Sequence, residues 1–275
     1  MKLEVILTPA ELPLVAKRDL HETLCVVFDV LRATSTFVTA LHNGAKAVVP
    51  VSEIAEALAF KNLEFGIRSS ELILLGGERD GIKIRAALTG GTDFDLGNSP
   101  RECTPEKVSG RTIVSTTTNG TRALRACAGA KTVLAGSFLN LTATAEFIRR
   151  QQFENVLLVC AGTGDKSALE DVLAAGALIE LLGAPLTPSL SPLGRGEGVQ
   201  RTGEGFVEMS DSAELAWRAW AQAKSDLAGA VRGSQNARRL LAIPELRDDV
   251  PFCLQQDIFP LVAKLEADGI IRCNK

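Results

Sequence analysis

The residues best equipped for chemistry stand together in one stretch, Phe28-Asp29-Val30-Leu31-Arg32-Ala33-Thr34-Ser35-Thr36, where an apolar run gives way to an acid, a base and three hydroxyls. Leu24 to Phe28 reads as a buried strand and Phe37 to His42 has helical character, so the Thr-Ser-Thr triplet falls at the turn between them. Free backbone N–H groups at a helix start, with hydroxyls at the cap positions, suit an anion, and Arg32 adds a bidentate phosphate donor. Asp29, at the end of the strand, would face the same anion and repel it unless a cation lies between them. A divalent metal bridging carboxylate and phosphate is therefore expected. An ordinary capped helix with a solvated Asp–Arg pair is the structural alternative.

Four further groups share this character. Leu72 to Leu75 reads as a short strand running into Gly76-Gly77-Glu78-Arg79-Asp80-Gly81, which sets an acid and a base on a glycine-flanked turn. In Phe94-Asp95-Leu96-Gly97-Asn98-Ser99-Pro100 the proline pushes Ser99 towards extended backbone, so Asx and Ser side chains sit on an irregular loop able to converge on a ligand. Ser115 to Thr121 holds five hydroxyls in seven residues, more than one cap needs, and reads either as a second anion-binding turn around Asn119, Gly120 and Thr121 or as a plain Thr-rich strand end. Glu170 and Asp171 open a helix over Ser167 to Leu182. They either serve the helix dipole or look across at Asp29 to complete an oxygen-rich site suited to Mg²⁺.

The elements that must position these groups alternate between strand and helix. Leu3 to Leu7 is a first strand. The strand ending at Phe28, its helix, the Gly44-Ala45-Lys46 stop and the strand to Val51 form one βαβ unit. The strand from Arg111 to Val114, a helix to about Cys127, the Gly129-Ala130-Lys131 stop and a strand to Leu134 repeat that plan, aligning Thr34-Ser35-Thr36 with Asn119-Gly120-Thr121. Asn155 to Ala161 is a further buried strand, and Ser234-Gln235-Asn236 starts another helix near a site. The pattern predicts an α/β fold, three layers of α/β/α around a mostly parallel or mixed sheet, with room for two related βαβ units. Residues 1–275 read as a single domain, compatible with two lobes, and 183–206 as a Pro/Gly-rich exposed loop or insertion.

Composition excludes several classes. The net charge is -3 and no basic block stands out, so neither nucleic acid nor a membrane surface is an expected partner. Met1 to Leu7, broken by Pro9, is too short for a signal peptide or a membrane span, and a cytoplasmic enzyme is expected. The six cysteines show no CxxC pair and there are two histidines, which argues against zinc. Leu215, Trp217 and Trp220 offer apolar surface to a core or to a subunit contact, so a homodimer is compatible.

The ordered blocks FDVLRATST, GGERDG, FDLGNSP, TTTNGT and VCAGTGDKSALEDVLAAGA, with SQNARRLL to VPFC near the end, resemble the 2-phosphosulfolactate phosphatase family. The resemblance implies a Mg²⁺-dependent phosphomonoesterase that releases phosphate from 2-phospho-3-sulfolactate to give 3-sulfolactate, a step towards coenzyme M or other sulfonates. Carried over by motif, the site would draw on Asp29, Arg32, Thr34, Ser35, Thr36, Glu78, Arg79, Asn98, Ser99, Asn119, Gly120 and Thr121, with Asp29, Glu170 and Asp171 as metal ligands. Water would be the nucleophile and Asp29 or Glu170 the base, with Arg79, Arg122 or the second turn receiving the sulfonate.

Rival chemistries can be weighed on spacing. A cysteine phosphatase needs Cys, five residues and then Arg; Cys25 to Arg32 spaces six, and Cys160 is followed by Lys166 where Arg should stand. Neither His21 nor His42 lies in an Arg-His-Gly triplet. An aspartyl-phosphate enzyme using Asp29 is the closer rival, although Leu31 occupies the position of the second acid. A non-catalytic binder of a small phosphorylated or sulfonated acid would use the same turns.

Overall fold

The computed structural model describes residues 1–63, 72–183 and 207–274; the 183–206 insertion expected from sequence lies, apart from Gly183, outside the described residues. Among the described residues eleven strands form one sheet: β1 (Lys2–Ile6), β2 (Thr23–Phe28), β3 (Ala47–Val51), β4 (Ile73–Arg79), β5 (Ile82–Lys83), β6 (Thr112–Thr116), β7 (Thr132–Gly136), β8 (Asn155–Cys160), β9 (Glu208–Met209), β10 (Val262–Leu265) and β11 (Ile271–Asn274). Their order is β5-β4-β6-β3-β11-β10-β7-β2-β8-β1-β9. Most neighbours are parallel, and helices cover both faces.

The alternation of β2 shows how the layers are built. Leu24, Val26 and Phe28 face one core with Leu173, Trp217 and Ile148, while Cys25 and Val27 face the other with Phe37, Val38 and Leu124. Helices Leu141–Gln151, Leu169–Leu181 and Asp211–Ala223 thus close one side and helices Ala33–His42 and Gly120–Ala126 the other. A strand buried on both faces must be apolar throughout, which is why β2 and β8 read so clearly. Of the three residues expected to offer apolar surface to a core or a subunit contact, Trp217 and Trp220 are buried in the core and Leu215 faces outward at 60% exposure.

The two strand–helix–strand units are present, but they are joined crosswise. In a usual βαβ unit the two strands are parallel neighbours. Here β2 pairs with β7 and β3 with β6, so each unit gives its first strand to the block that receives the other's second. The antiparallel hairpin β10–β11 lies between β7 and β3, and the three successive antiparallel pairings from β7 to β3 make the β3-β6-β4 block run opposite to the β7-β2-β8-β1 block. That hairpin, at the centre of the sheet, was unforeseen.

Strand β4 is longer than the expected Leu72–Leu75. It continues through Gly76, Gly77, Glu78 and Arg79, with Gly76 opposite Ser115 and Gly77 opposite Thr116 in the parallel pairing with β6. A Cβ on Gly77 would lie 2.3 Å from the Thr116 carbonyl oxygen. The glycines are there for close strand pairing, and the turn itself is Asp80-Gly81.

Candidate active site

Asp29 leaves the end of β2 on the floor of a cleft. Its backbone N–H donates to Thr34 Oγ1 at 3.0 Å, and its Oδ1 accepts from the Ala33 N–H at 3.1 Å. Ser35 Oγ donates to the Val30 carbonyl at 2.8 Å, and Thr36 Oγ1 lies 3.1 Å from both the Arg32 and Asn98 carbonyls. The helix begins at Ala33, one turn earlier than the residue pattern indicates, so the triplet lies inside its first turn and is buried. Thr34, Ser35 and Thr36, expected to meet the substrate, spend their hydroxyls on bracing the loop that presents Asp29.

The pocket receives the start of helix Gly120–Ala126 directly against Asp29. A Cβ on Gly120 would lie 2.8 Å from Ala33 Cβ and 2.8 Å from Asp29 Oδ2, so only glycine lets the two units approach. Thr121 Oγ1 donates to the Thr117 carbonyl at 2.7 Å, the same four-residue back-bond that Thr36 makes to Arg32. The second hydroxyl-rich turn repeats the first in geometry, and its hydroxyl is likewise internal.

Arg32 is buried and held at two points. Nη1 donates to Asp249 Oδ2 at 2.7 Å and Nη2 to the Gly81 carbonyl at 2.6 Å, while Asp249 Oδ1 accepts from Ser99 Oγ at 2.7 Å. Sequence reasoning missed Asp249; an acid in a short C-terminal helix carries no local sign of a partner so distant. Glu78 is a clamp of similar kind. Its Oε1 accepts from the N–H and hydroxyl of Thr118, and its Oε2 from the Gly81 N–H at 2.7 Å. Arg79, next along β4, donates to oxygens of Ser52, Glu78 and Thr116 and lies outside the cleft lining, as does Arg122.

The two acids of helix Leu169–Leu181 are both buried and serve differently. Asp171 takes the Val30 N–H at 2.8 Å on one oxygen and the Gly162 N–H at 2.9 Å on the other, clasping two strand ends. Glu170 Oε1 accepts from Asn236 Nδ2 at 2.8 Å, and its Oε2 has no partner. Burial lifts the Asp29 carboxyl to about 7 against the lowering hydrogen bond from Ala33, helped by the negative charges of Glu78 and Glu170. Burial, with Asp29 and Glu170 nearby, pushes Asp171 up as well.

The cleft has a volume of about 470 Å³. Asp29, Arg32, Glu78, Asn98 and Asn119 line it as sequence reasoning requires. Thr118, Thr163, Lys166, Gln235, Asn236 and Arg239 join them; none is singled out from the sequence as a site residue, although Thr118 lies in the second hydroxyl-rich turn and Gln235 and Asn236 at the helix start placed near a site. Asn98 Oδ1, Asn119 Oδ1 and Thr163 Oγ1 are buried oxygens without a hydrogen-bond partner. A buried acceptor left unpaired is costly, so oxygens of this kind call for a donor or a cation.

Among the described residues no three His, Cys, Asp or Glu side chains converge into a ready-made metal centre. The donor chemistry nonetheless fits a hard divalent cation. Repelling carboxylates at Asp29 and Glu170, an unpartnered Glu170 Oε2 and three unpartnered neutral oxygens make an oxygen-only set without thiolate or imidazole. Asp171 fits such a role least, since both its oxygens are already occupied.

Comparison with known proteins is consistent along the chain. Residues 7–268 match the family model described as 2-phosphosulpholactate phosphatase. The chain is 39% identical over 259 residues to a probable 2-phosphosulfolactate phosphatase of Caldanaerobacter subterraneus subsp. tengcongensis, covering 94% of this chain and 93% of that one. A probable 2-phosphosulfolactate phosphatase of Thermotoga petrophila is 38% identical over 87% of this chain and 88% of its own, and one from Synechococcus sp. 36% identical over 90% of each.

Proposed function

This chain belongs to the 2-phosphosulfolactate phosphatase family, and on that premise we propose that it hydrolyses 2-phospho-3-sulfolactate to 3-sulfolactate and phosphate with the help of Mg²⁺. The observation that carries the reading is Asp29, a buried carboxylate on the cleft floor with one oxygen held by Ala33 and no hydrogen bond to the other among the described residues.

In this mechanism the phosphoryl group sits above Asp29, and a water attacks phosphorus in line with the ester oxygen. Asp29 takes the proton of that water as the new P–O bond forms; the ester P–O bond breaks and the leaving oxygen collects a proton from solvent. Arg32, locked by Asp249 and Gly81, presents a fixed positive edge to the equatorial oxygens. Asp29 with Glu170 Oε2 and the amide oxygens of Asn98 and Asn119 would hold Mg²⁺, which supplies charge neutralisation and Lewis acidity to the phosphoryl group.

The test is phosphate release from 2-phospho-3-sulfolactate with Mg²⁺ present, and again after chelation. Release that depends on the cation is the expected result; a folded protein that binds the compound without turnover would instead be the binding protein considered above. A cytoplasmic location belongs to the same proposal. No helix among the described residues is long and apolar enough to cross a membrane.

A further inference from the structure

Helix Gln235–Leu241 brings to the cleft a cation that the proposed chemistry leaves unused. Ser234 caps it, with its hydroxyl accepting from the Ala237 N–H at 3.2 Å, and Ala237 and Leu240 anchor it in the core. Its buried Asn236 holds Glu170. From this anchored helix Arg239 reaches back across the Asp80-Gly81 turn. Gly81 has φ +80°, and a Cβ there would lie 3.3 Å from Arg239 Nη2 and 3.5 Å from its Cζ. The guanidinium therefore lies over the backbone of the residue whose carbonyl fixes Arg32.

The two arginines on either side of Gly81 differ in one respect. Arg32 is neutralised by Asp249 at 2.7 Å and is buried. Arg239 is exposed at the cleft, with no ion pair and no side-chain hydrogen bond among the described residues; Lys166, also in the lining, is in the same condition. Anion recognition at the rim thus falls to Arg239 and Lys166.

We propose that Arg239 is the receptor for the sulfonate of the substrate, a specificity-determining residue that reads the non-reacting end. This rests on the function proposed above. The assignment follows from the unequal basicity of the substrate's anions. Phosphate and carboxylate oxygens are competent ligands for a hard cation and belong with the oxygen-rich floor. Sulfonate oxygens are weakly basic and coordinate such a cation poorly, yet the group stays ionised at any working pH. Three weakly basic oxygens on a permanent charge match a guanidinium fork, which is also weakly hydrated and gives up its water readily.

The experiment compares wild type with Arg239→Gln and Arg239→Lys on 2-phospho-3-sulfolactate and on 2-phospholactate, which keeps the phosphate and carboxylate but lacks the sulfonate. Losing a charge-assisted pair is worth roughly tenfold to a hundredfold. That loss is expected in kcat/KM, mainly through KM, for the sulfonated substrate over and above any loss for phospholactate, with Arg239→Lys recovering part of it. Equal losses on both substrates would place Arg239 on the phosphate or carboxylate and overturn the inference. Calorimetric binding of 3-sulfolactate against lactate decides the same point without turnover: Arg239→Gln should weaken only sulfolactate, and unchanged sulfolactate binding overturns it. Absence of phosphate release by wild type would count against the proposed reaction, while these binding arms still judge Arg239.

Discussion

Arg32 and Asp249, 217 residues apart, form an ion pair of 2.7 Å that is buried on both sides. The pair ties the loop after β2 that carries Asp29 to the short helix Asp249–Cys253 near the end of the chain. Removing one partner strands the other charge away from water, which typically costs about 3–5 kcal/mol. Asp249→Ala should therefore lower the urea midpoint by an amount of that order and depress activity. Replacing both residues with apolar ones should restore much of the stability and none of the activity.

The Asp29 carboxyl titrates at about 7 in the fold against 3.8 unfolded. Between those values the native state binds a proton that the unfolded state has released, so this group favours folding at low pH. Its contribution is lost as pH rises through that window and levels off above it. Asp29→Asn removes the burden of a buried charge. In cation-free buffer the variant should melt several degrees above wild type at pH 8, by a smaller margin at pH 5, and should release no phosphate. A variant that melts below wild type at pH 8 would give Asp29 a structural role.

Binding of a divalent cation at the carboxylates should displace the proton that Asp29 carries below pH 7. Titration with Mg²⁺ in buffers of different ionisation enthalpy should report proton release that grows as pH falls towards 6, with affinity improving as pH rises. Glu170→Gln should weaken that affinity, and Asn236→Ala, which frees Glu170 Oε1, should do so roughly tenfold to a hundredfold. No change in melting temperature on adding Mg²⁺ would count against a cation at this place.

Gly120→Ala inserts a methyl group against both Ala33 Cβ and Asp29 Oδ2. Overpacking of this kind costs about 1–3 kcal/mol, and here the strain falls on the Asp29 carboxylate proposed to act in catalysis. Turnover should drop more steeply than stability, a contrast visible by setting kcat beside the thermal midpoint.

The buried strands β2 and β8, the existence of the helices that follow them, and the gathering of Asp29, Glu78, Asn98 and Asn119 at one cleft were legible in the chain itself. Apolar runs of strand length and clustered turn residues are local signals, and they survive whatever lies around them. What was not legible is which distant atom each polar group meets. Thr34, Ser35 and Thr36 read equally well as substrate ligands or as braces, because a hydroxyl's partner is chosen within 3 Å by neighbours that sequence order does not reveal.

Residue order alone therefore determined the α/β class, the family and the positions of the principal acids and bases. Only the tertiary structure decided that the two strand–helix–strand units exchange partners around a central hairpin, and that Arg32 is held in place by Asp249. It also decided that, among the described residues, the unpaired cations of the cleft are Arg239 and Lys166. The physical reason is range: period and turn chemistry act over a few residues, whereas strand pairing and charge compensation are settled between segments that meet only when the chain has folded.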